Sequence, residues 1–240
     1  MPPRQLRARA GVPAVRDYVE GAGRAAAELL DTLAAAGRGP EQLHRVLDFG
    51  AGAGRVLPHL AALIPHANCT GCDVDARAIA WASRHHPTQR WERSAFLPPL
   101  PFEPESFDLV YSISVFSHLD EWLQDRWLAE LRRILSPGGV ALLSVHGPSA
   151  FEQFRQGAAR TAWCTRSAFA RGPLGPGEFE FVPYRRSVWN AAALPGIDEG
   201  YGLSFHGHEY VRAHWSTSLA VLELRERAIT GWQDIVICQP

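Results

Sequence analysis

The residues able to do chemistry fall into a few short runs of acid, glycine and histidine. In Asp48-Phe49-Gly50-Ala51-Gly52-Ala53-Gly54-Arg55, three glycines stand at alternate positions behind a carboxylate. Glycine permits backbone angles and close approaches that a Cβ forbids, so such a loop can bring its amides against a ligand. Asp73 lies nineteen residues after Gly54. A carboxylate near that distance, closing the next strand, can accept the hydroxyls of a ribose. His118 and His146 are imidazoles that titrate near neutral pH and can take a proton from a hydroxyl or an amine. For both, a purely structural role bracing a helix or a strand end competes with the role of base.

These residues need elements to hold them. Val46 to Phe49 reads as a short buried strand bounded by glycine, and Val56 to Leu63 as a helix with Pro58 in its first turn. A strand running through a glycine turn into a helix aims the helix amides at a polar or anionic ligand. Asn68 to Asp73 reads as a second strand, with Asp75 the N-cap of a helix from Ala76 to His85. A third strand spans Gln89 to Arg93, followed by a proline-rich loop. Phe107 to Tyr111 is a fourth strand and Val140 to Val145 a fifth. Between them a helix from Asp120 to about Leu135 carries the stripe Leu123, Trp127, Leu128, Leu131, Ile134 and Leu135. His146 then stands at a strand end, where open parallel sheets bind ligands.

The glycine spacing separates two nucleotide-binding readings. A dinucleotide fingerprint, G-x-G-x-x-G, places its third glycine where this chain has Arg55, which sets a nucleotide-dependent dehydrogenase aside. The pattern D-x-G-x-G-x-G instead resembles the first motif of class I S-adenosylmethionine (SAM)-dependent methyltransferases. The run from Ser106 to Leu119, ending Val115-Phe116-Ser117-His118-Leu119, resembles the fourth motif of a bacterial subgroup with V-F-[ST]-H-L. Leu135-Ser136-Pro137-Gly138-Gly139 before an apolar strand is also similar to the family. The resemblance covers about residues 45–147 and, in outline, 208–238.

That resemblance implies roles. Gly50, Gly52 and Gly54 would pass under the methionine part of SAM, with Asp48 helping to hold its amino group and Arg55 among the cofactor residues. Asp73 would take the ribose and Val74 the adenine face. Ser94 and Ala95 stand where the adenine edge is met. Ser112 and Ser114 become cofactor contacts, and Phe116 and His118 acceptor-side residues. An N-terminal helix would cover the cofactor, with Tyr18 either lining that pocket or sitting in the core.

Composition narrows the rest. The chain has 240 residues, 46% of them hydrophobic, and a formal net charge of -1. Without a long basic run, binding bare nucleic acid is not expected. No apolar run approaches the ~20 residues that span a bilayer, and the basic N-terminus lacks the apolar segment of a secretory signal. Cys69 and Cys72 form C-x-x-C inside a strand, without a second pair at zinc spacing, and read as core thiols of a reducing, cytoplasmic compartment. No metal is expected at His206, His208 and His214. Residues 1–12 read as poorly ordered. From Val15 a helical period runs to Gly37, with Gly21 and Gly23 able to break it in two. Leu219 to Leu224 and Trp232 to Cys238 read as a closing hairpin.

The expected architecture is a Rossmann-like, doubly wound, mostly parallel seven-stranded α/β sheet. It divides into a helical segment (1–44), a SAM-binding core (45–147), an aromatic-rich inserted cap holding the acceptor (148–206), and a C-terminal helix and hairpin (207–240). The expected activity is methyl transfer from SAM, leaving S-adenosylhomocysteine, to an O or N atom of a small-molecule or saccharide-like acceptor. No membrane partner is expected, and homo-oligomerisation is left open. The competing reading is a SAM-binding structural or regulatory protein without turnover.

Overall fold

The computed structural model describes residues 1–12, 14–157, 169–184 and 200–240. Strands β1 (Arg45–Phe49), β2 (Asn68–Asp73), β3 (Arg90–Arg93), β4 (Phe107–Ser112) and β5 (Leu135–Val145) pair in parallel. β6 (Phe179–Pro183) and β7 (Gly202–His206) form a separate antiparallel pair. β8 (Ala220–Ile229) and β9 (Gln233–Gln239) return antiparallel to β5, giving one seven-stranded sheet in the order β3-β2-β1-β4-β5-β9-β8. The order reverses between β1 and β4, the place where doubly wound sheets open a crevice at their carboxyl ends.

Alternation along the strands sends side chains to opposite faces. Leu47, Phe49, Cys72 and Val110 join one buried cluster, and Val46, Cys69, Leu109 and Tyr111 the other. The first is closed by α5 (Glu121–Ile134) through Leu123, Trp127, Leu128, Leu131 and Ile134. The second is closed by α2 (Val15–Ala35) and α3 (Leu57–Leu63). Asp120 and Asp75 cap α5 and α4 (Ala76–His85), accepting from the Leu123 and Arg77 amides. Cys69, Cys72 and Cys238 are buried free thiols. No helix among the described residues is long and apolar enough to cross a membrane.

Three expectations are corrected here. Residues 1–12 are not formless: α1 (Arg4–Arg9) forms, Pro2 is buried, and Arg9 pairs with Asp75. The helix from Val15 is continuous through Gly21 and Gly23, which lie beside Arg55 and His59. Its periodic Val15 and Val19 are exposed. Phe116 is fully buried against Trp215, at 5.3 Å between ring centres, and belongs to the core.

Between β5 and β7 lies α6 (Pro148–Gln156), whose Phe151 and Phe154 pack with Leu174, Val182, Leu203 and Phe205 as a third small cluster. Trp163 and Trp189 lie outside the described residues. The C-terminal histidines diverge: His206 meets Gln124, His208 meets Asp234 and His214 meets Asp125. Among the described residues no three His, Cys, Asp or Glu side chains are placed to hold a metal.

His206 makes a stability prediction. Burial pushes its imidazole down to about 3, whereas an unfolded histidine binds its proton near pH 6.5. Between those values the unfolded state carries the extra proton, so His206 stability falls as pH falls, by about 1.4 kcal/mol per pH unit. His206→Gln should flatten the slope of urea-unfolding free energy between pH 6 and 4 by that amount. An unaltered slope would contradict a buried neutral imidazole.

Candidate functional site

The glycine loop leaves β1 at the switch point. Gly50, Gly52 and Gly54 have φ of 84°, 55° and 72°. Their surroundings differ. A Cβ at Gly50 would meet Val115 at 2.2 Å and one at Gly54 would meet Trp91 at 2.7 Å, but a Cβ at Gly52 would meet nothing within 4 Å. Two of the glycines thus fit the loop to its neighbours, and Gly52 faces open space.

Asp73 ties this loop to β2. Its Oδ2 accepts from the Gly52 amide at 2.8 Å and its Oδ1 from the Asp75 amide at 2.7 Å. A carboxylate has about four acceptor positions, and these amides do not fill them all. Burial raises its pKa to about 6, opposed by the Gly52 amide, Arg9 and the Val74 amide. Val74 is half-buried beside it. Ser94 is buried and its amide donates to the Asp73 carbonyl at 3.0 Å, while Ala95 is exposed.

Asp48 is buried on β1 and receives the Tyr111 hydroxyl at 2.8 Å. The two residues stand opposite each other in the β1–β4 register. Burial raises the Asp48 carboxyl to about 7; the Tyr111 hydroxyl and Arg55 oppose this, and Asp73 adds to it. Arg55 shares that electrostatic neighbourhood with Tyr18 and Tyr111, and Tyr18 is buried where α2 crosses it.

At the ends of β4 and β5 the polar groups interlock. Ser112 is fully buried, with an Oγ that has no hydrogen-bond partner among the described residues. Ser114, at φ 61°, donates its amide to Ser144 Oγ at 2.8 Å. Ser144 Oγ donates to Gln233 Oε1 at 2.8 Å.

His118 and His146 come together, ring centres 5.8 Å apart and edge to face. His118 Nδ1 lies 2.8 Å from the Gly202 carbonyl, which can only accept, so this nitrogen carries the proton. The Tyr184 hydroxyl lies 2.8 Å from the same nitrogen, and Tyr201 stacks on the ring at 5.3 Å. Burial lowers its pKa, the Gly202 carbonyl opposing, which keeps the ring neutral at pH 7 with its lone pair on Nε2. His146 is 3% exposed among Phe154, Phe205 and Trp232. Burial, then His118 and His206, hold its pKa well below the usual histidine range, while the Ser204 backbone favours the charged ring.

Sequence reasoning missed Tyr111, Ser144, Tyr184, Tyr201, Gln233 and Arg9. Only Tyr111 had a local signal: a polar tip in an apolar strand, in register with Asp48 once β1 and β4 are paired. Cavity size does not mark the site, for a groove of about 1090 Å³, lined by Asn68, Arg90 and Phe107 among others, lies at the amino ends of the strands.

Residues 46–139 match a family model described as "Methyltransferase domain". A malonyl-[acyl-carrier protein] O-methyltransferase from Geobacter sulfurreducens is 34% identical over 116 residues, covering 46% of this chain and 42% of that protein. A trans-aconitate 2-methyltransferase from Deinococcus radiodurans is 35% identical over 110 residues, covering 42% and 37%. The chain spans about two fifths of the length of each. A crystal structure of an S-adenosylmethionine-dependent methyltransferase from Clostridium acetobutylicum superposes with a TM-score of 0.62 over 91% of both chains at 10% identity, a shared fold. The match at residues 46–139 and the superposition give this chain a methyltransferase-domain match over part of its length and a fold shared with that solved structure.

Proposed function

We propose that this chain transfers a methyl group from SAM to an oxygen or nitrogen atom of a small-molecule or saccharide-like acceptor. The observation that carries this reading is the pair formed by open Gly52 and the carboxylate that holds its amide. A ligand can approach the Gly52 backbone, and Asp73 keeps acceptor capacity for a ribose hydroxyl. Asp48 supplies a carboxylate for an amino group and Arg55 a guanidinium for a carboxylate, which matches the amino-acid end of the cofactor. Val74, Ser94 and Ala95 line the base side, and Gly50, Gly54, Ser112 and Ser114 complete the cradle.

SAM, when bound, supplies an electrophilic methyl carbon on a sulfonium. The protein holds the nucleophile in line with it, since positioning is worth several kcal/mol in such displacements. We place the acceptor beside His118 and His146, next to the described parts of the 148–206 segment (148–157, 169–184 and 200–206). His118, neutral with its Nε2 lone pair, is our base for a hydroxyl acceptor; an amine can lose its proton later. We place the reaction in the cytoplasm.

The test is calorimetry with S-adenosylhomocysteine followed by methyl transfer from labelled SAM to a panel of small acceptors. Binding with transfer supports the enzyme. Binding without transfer to any acceptor favours a silent SAM-binding protein, and no binding removes both.

The carboxyl groups give this reading a pH dependence. Asp73 at about 6 and Asp48 at about 7 must ionise to meet hydroxyls and an ammonium. Affinity should therefore rise from pH 5 to a plateau near pH 8, by about tenfold per pH unit for each carboxyl that must ionise. Asp48→Asn should remove the limb near pH 7 and leave the one near 6. A flat profile between pH 5 and 8 would overturn these carboxylate roles.

A further inference from the structure

Gln233, at the start of β9, is 5% exposed and carries a side chain that the methyl-transfer reading does not use. Two hydroxyls donate to its carbonyl oxygen: Ser144 Oγ, which itself accepts the Ser114 amide at 2.8 Å, lies 2.8 Å from Gln233 Oε1, and Ser114 Oγ lies 3.1 Å from it. That makes the other end of the amide the NH2 group. Nε2 lies 2.9 Å from Ser114 Oγ, and 3.4 Å from both Ser117 Oγ and His146 Nε2.

One N–H is taken by Ser114 Oγ, the nearest acceptor, and His146 Nε2 shares the second with Ser117 Oγ at 3.4 Å. A neutral imidazole has one donor and one acceptor nitrogen, so its proton resides on Nδ1. That Nδ1 is buried and makes no well-formed hydrogen bond among the described residues, with the Ser204 backbone beside the ring. A buried donor left unpaired is unfavourable, and a ligand acceptor atom would offset that cost.

We propose that Gln233 is a positioning residue that fixes His146 as the Nδ1–H tautomer, so that His146 is the hydrogen-bond donor of the acceptor site and His118 its base. The two histidines then have opposite duties. His118 Nδ1–H is committed to the Gly202 carbonyl and offers a lone pair at Nε2; His146 has its lone pair committed to Gln233 and offers a proton at Nδ1. The ligand group that suits such a pair bears a hydroxyl or amine nucleophile beside a second oxygen with a free lone pair, as a carbonyl, carboxylate or neighbouring hydroxyl provides. The division of duties rests on the methyl-transfer reading; the tautomer does not.

Nitrogen-15 labelling of histidine tests it without an acceptor. Long-range proton–nitrogen spectra of the full chain at pH 7.5, with and without S-adenosylhomocysteine, should assign His146 a protonated Nδ1 and a bare Nε2, and His118 the same pattern. In Gln233→Glu the facing group becomes an acceptor, so the His146 proton should move to Nε2 while His118 stays as it was. Gln233→Met, nearly isosteric and without an N–H, should leave His146 as a mixture of tautomers, and it serves if the Glu variant does not fold. A wild-type His146 protonated on Nε2, or a His146 pattern unmoved in a folded variant, overturns the proposal. Calorimetry on the same wild-type sample separates the two readings. Without S-adenosylhomocysteine binding the methyl-transfer reading fails while the tautomer assignment stands, and binding together with an Nε2–H His146 sinks the assignment alone.

Discussion

Gly52→Asn should yield a folded protein that has lost its cofactor. Asparagine tolerates the left-handed backbone at φ 55° better than other side chains, and its Cβ meets nothing within 4 Å. The expected stability loss is about 1 kcal/mol, a melting temperature lower by about 2–4 °C for a chain of this size. The side chain projects into the space where a ligand must approach the backbone, so S-adenosylhomocysteine affinity should drop about a hundredfold, on the order of 3 kcal/mol. Gly54→Asn is the informative contrast. Its Cβ would press on Trp91 at 2.7 Å, and overpacking of this kind costs about 1–3 kcal/mol beyond any effect on binding. Paired calorimetry and thermal melts check both. If Gly52→Asn binds as wild type does, the open side of the loop is not the cofactor side.

The second large effect is expected at Asp73. Asp73→Ala removes the acceptor proposed for a ribose hydroxyl and the anchor of the Gly52 and Asp75 amides. Hydrogen bonds to a charged group are worth about 1.5–3 kcal/mol each, so S-adenosylhomocysteine affinity should fall about a hundredfold or more. Asp75→Ala separates binding from scaffolding. It removes the cap on α4, about 1 kcal/mol of stability, with little loss of affinity. Unchanged affinity in Asp73→Ala would place the nucleoside elsewhere.

The core of the fold was legible where the signal is local. The apolar run Val46 to Phe49, the glycines at alternate positions, the cap residue Asp75 and the stripe of α5 each state their structure within a few residues. The doubly wound, mostly parallel sheet of seven strands with its closing hairpin followed from the family those elements resemble. What was not legible depends on partners distant in sequence. Arg9 reads as part of a basic, formless start until Asp75 is beside it. Gly21 and Gly23 read as helix breakers until Arg55 and His59 lie beside them. Phe116 sits between two candidate site residues and yet points into the core, because nothing local says which way the segment after β4 turns. The histidine duties depend on Ser144 and Gln233, which follow Ser114 by 30 and 119 residues. A network of that reach leaves no spacing to read.

The two outer strands of the sheet have a consequence for solubility. β3 carries Arg90, Glu92 and Arg93 within four residues, and β8 carries Glu223, Arg225, Glu226 and Arg227. The β8–β9 pairing slips twice, between Val221 and Glu223 and between Arg225 and Ile229, and Arg227 takes a positive φ of 53°. Charges and bulges of this kind blunt a free rim as a template for further strands. Rim-to-rim polymerisation is thereby discouraged on both flanks, and docking between two copies of the chain is steered toward helices and loops.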